Sequence, residues 1–531
     1  MAFSSFTNAA CDEARSRLCK TLGLYDYEVP YCGTIHSLAK RALGIGTDGR
    51  DWLAAGKKLK EFGDSYDYDL MPAKKAAAED MDEIQKQGGQ DAILATIWEV
   101  GRNRLKTTAA GAWDAFDAYD PDTLQRVERP RFLQFVEEYE EWKHVAGGYN
   151  RLYDFTDLLQ AVLDAPERAA LPVSCAVIDE AQDMTPLLWR AADILFDYAE
   201  HRACLGDDDQ AIFGYQGASP ELFNSRAAER VVLLHQSRRL PRAVLELAQR
   251  VIQQNRDRVA KDFRPVTLDI VRERHPDDAT FCPKRELDGH VGRVRGLREL
   301  DLLNGESWFV LVRNWAHVPA MVNELETAGI PYAVGGGQYY SPWAEKGPLR
   351  AVRTLYALSD GDQVTLSALG ALMDRSSTAT KDRPGAWAYG QKVRIQERID
   401  TTPDEKVGLA DLPHLGLTEW GFDRIVTRDL EILRGGISDR DLTAYSAAQD
   451  RGTWMQEPRV LVSTIHGVKG QEADNVAALM TCTGAPQKNL NRPDRREEEI
   501  RLAYVAITRA RKAFYGVEGM GQGYPYEIFG V

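Results

Sequence analysis

Val173-Ser174-Cys175-Ala176-Val177-Ile178-Asp179-Glu180-Ala181-Gln182-Asp183 joins a short, β-branched apolar run to a cluster of carboxylates. A nearly continuous apolar run suits a strand buried on both faces, as in a parallel sheet. The same pattern recurs along the chain. Ala203-Cys204-Leu205 runs into Gly206-Asp207, Trp308-Phe309-Val310-Leu311-Val312 into Arg313-Asn314, and Val460-Leu461-Val462-Ser463 into Thr464-Ile465-His466. Such runs, separated by helical patterns, predict an α/β fold of parallel strands whose polar carboxyl ends form the ligand-binding edge.

Two segments lack this punctuation. Residues 45–150 and 350–450 carry charged and aromatic residues at helical spacing and are expected to be helical insertions. Lys74 to Met81 and Phe132 to Tyr139 in the first are runs a helix accepts easily, and Asp374 to Gly385 in the second is expected to be an exposed loop. Thr34-Ile35-His36-Ser37 returns as Thr464-Ile465-His466-Gly467, an echo that hints at two related domains. A chain of 531 residues with 44% hydrophobic content is also too long for a single core. No run approaches the roughly 20 apolar residues of a membrane span, and Met1 to Ser5 has no basic flank leading into an apolar signal core. An intracellular protein, cytoplasmic and without a membrane partner, is expected. The seven cysteines are odd in number and form no C-x-x-C pair, so they are expected to be reduced and mostly buried, with neither zinc nor a disulfide framework. A net charge of -14 argues against a uniformly basic coat but leaves room for a local phosphate-binding track.

The chemistry collects at the strand ends. Asp179 and Glu180 stand where a nucleotide hydrolase needs one carboxylate to hold Mg²⁺ and a second to activate water, although the pair alone also suits an acidic turn. Gly206 to Ala218 mixes Gln210, an amide suited to sensing a phosphate, with the rings of Phe213 and Tyr215. Aromatic platforms bind single-stranded bases because every base has a π-face, at about 1–3 kcal/mol per base. An isolated pair of rings fits a protein core equally well.

Taken in order, eight segments together resemble the successive motifs of UvrD/Rep-like superfamily-one DNA helicases. They are Phe6-Thr7-Asn8-Ala9-Ala10, Thr34 to Ser37, Asp154-Phe155-Thr156-Asp157-Leu158-Leu159, Asp179 to Asp183, Gly206 to Gln210, Gln236-Ser237-Arg238-Arg239, Thr464 to Glu472, and Tyr504 to Ala510. The resemblance implies two RecA-like parallel-sheet motor domains, each with a mainly helical insertion, with ATP in the cleft between them and single-stranded DNA across both. It divides the chain into a first motor domain (1–44 and 151–230, interrupted by 45–150) and a second (231–349 and 451–531, interrupted by 350–450). It implies Asp179 as the Mg²⁺ ligand, Glu180 as the base, Gln210 as γ-phosphate sensor, and Arg239 and Arg509 at the transition-state phosphate. Lys469, Gly470 and Glu472 would lie at the nucleotide, with Glu472 on the ribose. Arg238 occupies the place of a tyrosine that stacks on adenine. DNA contacts are implied for Phe6, Thr7, Asn8, Thr34, His36, Phe213, Tyr215, Thr464 and His466, whereas Phe155 is expected to be core packing. Arg501 and Arg509, eight positions apart on one predicted helix, are expected to share a face.

The sequence also departs from the family. Members carry a G-x-x-x-x-G-K-[ST] loop upstream of the Phe-Thr-Asn motif, and this sequence starts at that motif. The backbone amides, lysine and hydroxyl of that loop cradle the phosphates and Mg²⁺, so poor turnover by this chain alone is expected. A first strand and helix of the first motor domain would be missing with it, exposing the centre of a parallel sheet that should be covered. A separate polypeptide carrying the loop, or a split gene, is therefore expected. Gln216 replaces an arginine expected near DNA. The function so implied is a 3′–5′ single-stranded DNA translocase and helicase, acting at duplex junctions in replication, recombination or repair and associated with the nucleoid. The alternative is a non-catalytic DNA-binding subunit or remnant. A helicase-nuclease is disfavoured because the chain ends at Val531, soon after the Arg509 motif.

Overall fold

The computed structural model describes all residues except 47–52, 72–88, 147–150, 227, 229, 275–282, 336–340, 345–346, 381–382, 434–437 and 520–522. Two separate parallel sheets organise it. The first comprises β1 (Ala2–Ser4), β2 (Cys175–Ile178) and β3 (His201–Cys204), with β2 in the middle. The second begins with β4 (His290–Val294), β5 (Trp308–Val312) and β6 (Tyr332–Val334). A small antiparallel pair, β7 (Val364–Thr365) and β8 (Lys406–Val407), interrupts it. The sheet resumes with β9 (Val460–Thr464), β10 (Ala473–Leu479) and β12 (Ala510–Val517), while β11 (Thr481–Cys482) pairs with β13 (Tyr524–Pro525) at its edge. Its order is β4-β12-β10-β5-β9-β6, parallel throughout.

The continuous apolar run of β5 is buried at every residue between β10 and β9, as its composition predicts. Around it, Val310, Val312, Val462 and Ala477 fill one side of the sheet, and Leu311, Val476, Ala478 and Phe514 the other. Helices begin where hydroxyl or carboxylate caps precede apolar stripes. Thr185 accepts the Leu188 amide with Pro186 at the first helical position, and Thr34 accepts the Ser37 amide.

The segment 45–150 forms helices Lys57–Tyr66, Ala92–Asn103, Ala109–Tyr119 and Arg129–Ala146 around its own aromatic core of Phe62, Phe116, Phe132 and Phe135. The run Lys74 to Met81, expected to be helical, lies outside the described residues. A buried ionic cluster ties this insertion to helix Phe155–Asp164. Lys143, with no exposed side-chain surface, contacts Asp157 at 2.6 Å and Asp154 at 3.0 Å, and Arg102 contacts Asp154 at 2.6 Å and Asp157 at 2.9 Å. Burial would raise the Asp154 carboxyl, but the Arg102 and Lys143 charges outweigh it and hold it below its ordinary value. The second insertion, with helices such as Pro348–Ser359, Leu366–Arg375 and Asp439–Arg451, instead shares one core with the second sheet.

The cysteine expectation needs correction. Cys11, Cys32 and Cys482 are buried, but Cys19 and Cys175 are only partly covered and Cys204 is exposed. Cys282 lies outside the described residues. Cys204 is open because, among the described residues, β3 pairs only with β2, and all four β3 residues are exposed. Among the described residues, no helix is long and apolar enough to cross a membrane.

Candidate nucleotide and nucleic-acid site

Glu180 sits at a sharp turn after β2 with φ of 53°, a left-handed conformation that costs a residue with a Cβ roughly 1–3 kcal/mol and tends to persist at functional sites. The turn is held by backbone bonds from Asp179 to Ser4, Ala181 to Leu205 and Leu205 to Ile178. Gln182, fully buried, donates to Glu180 Oε2 at 2.5 Å, and its own oxygen accepts the Asp207 amide at 3.1 Å. This glutamine fixes the acidic turn to the next loop, a role the sequence did not signal. Burial and the adjacent Glu180 charge raise the Asp179 carboxyl above its ordinary value. A carboxylate so placed, with the Ser5 hydroxyl 3.4 Å away, has the hard oxygen donors and the excess negative charge that suit Mg²⁺.

Opposite stand two arginines of the second domain. Arg509 donates from Nη2 to Gln210 Oε1 at 3.0 Å, from Nη1 to the Gln471 carbonyl and from Nε to the Val505 carbonyl. Burial and the Arg239 charge pull its pKa down to about 9, so an anion between the two guanidinium groups would relieve both. Arg239 donates to the Thr508 carbonyl at 2.9 Å and pairs with Glu472 at 2.7 Å. The Gln210 amide therefore lies between Arg509 and Asp207, to whose carboxylate it donates at 2.7 Å. Gly470 takes the left-handed φ of 79° between Lys469 and Glu472. Arg238 is on the surface, paired with Glu273. Arg501 shares the helix of Arg509 but not its target: it reaches the Asp257 carbonyl and Glu497.

The domain seam is ionic. Lys261 contacts Asp207 at 2.6 Å, Asp209 at 2.8 Å and also Asp208, and Arg258 pairs with Asp209 at 2.6 Å. These two cations offset two of the three negative charges of the acidic trio.

The aromatic residues gather beside this cleft. Phe6 stacks on Phe213 at 4.8 Å, and Tyr215 and His466 meet edge to face at 5.8 Å. Phe213, expected as a platform, is 9% exposed and supports the cluster from beneath, while Phe6 and Tyr215 are half-buried. Thr7, Thr34 and Thr464 all accept the amide three residues on. The Thr34 and Thr464 echo is thus a repeated turn. Asn8 is exposed at the first position of helix Asn8–Leu22. Burial lowers the His36 pKa to about 4, which keeps its ring neutral. Phe155 overturns its expected core role, being 51% exposed and edge-on to His36 at 5.8 Å. It follows the Asp154 cap directly and points away from the buried stripe of Leu158, Leu159 and Val162. A cavity of about 280 Å³, lined in part by Tyr119, Arg126, Tyr215, His466, Lys488 and Arg492, continues the cluster between the first insertion and the second domain. Its cations come from segments without motif character.

Residues 1–229 match the UvrD/REP helicase N-terminal domain, and residues 441–516 match the UvrD-like helicase C-terminal domain. The chain belongs to the UvrD/Rep-like helicase family. It is 24% identical to DNA helicase II of Haemophilus influenzae, over 96% of this chain and 76% of that protein. Against ATP-dependent DNA helicase Rep of Salmonella typhimurium the identity is 23%, over 96% and 82%. Against ATP-dependent DNA helicase UvrD2 of Mycobacterium tuberculosis it is 27%, over 70% and 52%.

Proposed function

We propose that this UvrD/Rep-like chain is an ATP-dependent translocase on single-stranded DNA and a helicase at duplex junctions, moving 3′ to 5′ as the resemblance implies, in replication, recombination or repair. Gln210 carries the proposal. Its side chain spans Asp207 and Arg509, and three residues further along the same loop Phe213 stacks on Phe6. Hydrolysis and DNA binding would therefore act on one short segment.

Bound Mg²⁺·ATP would supply the phosphoryl group and the metal charge. Asp179 is the residue to hold the metal, Glu180 the one to take a proton from water, and Arg239 with Arg509 the pair to neutralise charge developing on the phosphoryl oxygens. Phe6, Tyr215, His36, Thr34, Thr464 and His466 would grip the strand, with Phe155 beside His36. A nucleoid-associated, cytoplasmic location follows from a DNA partner.

We further propose that a G-x-x-x-x-G-K-[ST] segment completes the site beside β3. The open β3 residues support this, as do the cations near Glu180, which are already engaged: Lys469 by Asp183, and Arg509 by Gln210. A DNA-binding subunit without turnover is the alternative. ATP hydrolysis by the purified chain, with and without oligothymidylate, separates the two when repeated with a peptide carrying the loop and beside Glu180→Gln. DNA-stimulated turnover that Glu180→Gln reduces about 10²–10⁴-fold is the expected result with the loop peptide. No turnover under any condition, with DNA still bound, would leave the DNA-binding subunit. Turnover without the peptide would overturn the need for that segment.

A further inference from the structure

The first insertion and the second domain meet at one aromatic ring. Tyr119 ends helix Ala109–Tyr119 of the insertion, and Arg495 lies near the start of helix Pro493–Thr508 of the second domain. The Arg495 guanidinium carbon is 3.3 Å from the centre of the Tyr119 ring, and Arg495 also donates to the Tyr119 carbonyl at 2.5 Å. Arg104, from the insertion itself, brings a second guanidinium to 4.4 Å from the same ring. Arg492 pairs with Asp122 at 3.5 Å across the same junction.

The turn that carries Tyr215 touches both sides of this junction. Asn103 of the insertion donates to the Gln216 carbonyl at 3.2 Å. Glu498 of the second domain lies so close against Gly214 that a Cβ there would stand 1.8 Å from its Oε1. Tyr119 and Arg495 line the cavity of about 280 Å³ together with Tyr215 and His466, the residues proposed to hold a strand.

These contacts complete a circuit of protein around that cavity. The two domains are joined at the Lys261 seam, and Lys143 and Arg102 fasten the insertion to Asp154 and Asp157 of the first domain. Tyr119 on Arg495 links the insertion back to the second domain. The last link is the one suited to opening. Separating a buried ion pair leaves uncompensated charge, whereas Arg495 on leaving the ring keeps Glu498, at 3.0 Å in its own helix. The link also sets two like charges on one ring: burial, with the Arg495 charge, pulls the Arg104 pKa below its ordinary value.

We propose that Tyr119 and Arg495 form a gate that closes the insertion onto the second domain over single-stranded DNA seated on Tyr215 and His466. The gate rests on the DNA-binding function proposed above and adds the means by which a strand without a free end enters and is retained. Such a strand enters from the side only while the ring and the guanidinium are apart, and it is held once they meet.

A closed circle of single-stranded DNA tests this, because a circle has no end to thread and must pass the gate in both directions. Stopped-flow association and dissociation are measured with a labelled oligothymidylate circle and with its linear form. Tyr119→Ala and Arg495→Gln are each expected to raise both rates on the circle about tenfold. That factor corresponds to about 1.4 kcal/mol, within the range of a cation on an aromatic ring. The double variant should be no faster than either single one, since both changes remove the same contact. Tyr119→Phe, which keeps the ring, should match the wild type, so a folding defect in one variant does not decide the outcome. Loss of an ordinary contact to DNA speeds dissociation and leaves association unchanged. That result, or unchanged rates in both single variants, overturns the gate. A wild type that binds neither form of the strand would instead overturn the DNA-binding function itself.

Discussion

In the second sheet, β5 is buried at all five residues between two parallel neighbours, whereas in the first, β3 is exposed at all four residues and has a neighbour on one side only. An exposed apolar residue accompanies the open edge. Leu205 follows β3 at 48% exposure. A run of this composition ordinarily becomes a buried strand, and exposed apolar surface of this kind ordinarily marks an interaction site. The contrast teaches that an apolar run records the burial a strand is suited to, while the burial attained depends on which neighbours are present. It also places the uncovered surface in the domain whose acidic turn the proposed loop would complete.

The seam between the two domains should show the largest stability effect. Lys261 is the common counter-ion of three carboxylates, with its side chain 9% exposed and Asp209 fully buried. Lys261→Met leaves Asp207 and Asp208 without their shared cation, Arg258 still holding Asp209, and is expected to cost about 3–5 kcal/mol in urea unfolding, the usual consequence of removing one partner of a buried ion pair. A loss below about 1 kcal/mol would mean that the domains do not depend on this contact, as for an exposed pair.

The contrast between the sheets is tested next. Leu311→Ala in β5 should cost about 2–5 kcal/mol, through lost burial and the cavity left behind. Cys204→Ser in β3 should stay within about 0.5 kcal/mol, as for an exposed position. Equal losses would show that β3 is covered in solution and would erase the difference between the sheets. Repeating the pair with the loop peptide present sharpens the test, because covering β3 should raise the cost at Cys204 and leave Leu311 unchanged.

What could be read from the sequence follows from which physical features are periodic. Strands buried on both faces leave continuous apolar runs, so β2, β5 and β9 were visible, and the carboxylates after β2 gave the acidic turn a place at a sheet edge. Cys204 misled because an apolar run does not tell whether a neighbouring strand exists. Phe155 misled because its segment is apolar as a whole, yet the residue next to a helix cap faces away from the stripe. Ion pairs carry no period. Lys469 meets Asp183 across 286 residues of sequence and Lys261 meets Asp207 across 54, and neither separation leaves a local pattern. The cavity cations Arg126, Lys488 and Arg492 come together only through tertiary packing.

The Asp183–Lys469 contact should also respond to pH. Burial raises the Asp183 carboxyl to about 6, against the opposing charge of Lys469, while the unfolded chain releases that proton near 3.8. Between those values the folded state holds more protons than the unfolded one, so the contribution of Asp183 to stability falls as pH rises and is flat above about 7. Asp154 has the opposite sign: its carboxyl is held below the ordinary value, and its contribution is lost as pH falls. Urea midpoints of wild type and Asp183→Asn, compared from pH 4 to 7, isolate the first group. The wild type should lose stability relative to the variant as pH rises through this window, by no more than about 1.4 kcal/mol per pH unit for one proton. A difference that does not vary with pH would mean that Lys469 fully compensates the buried charge.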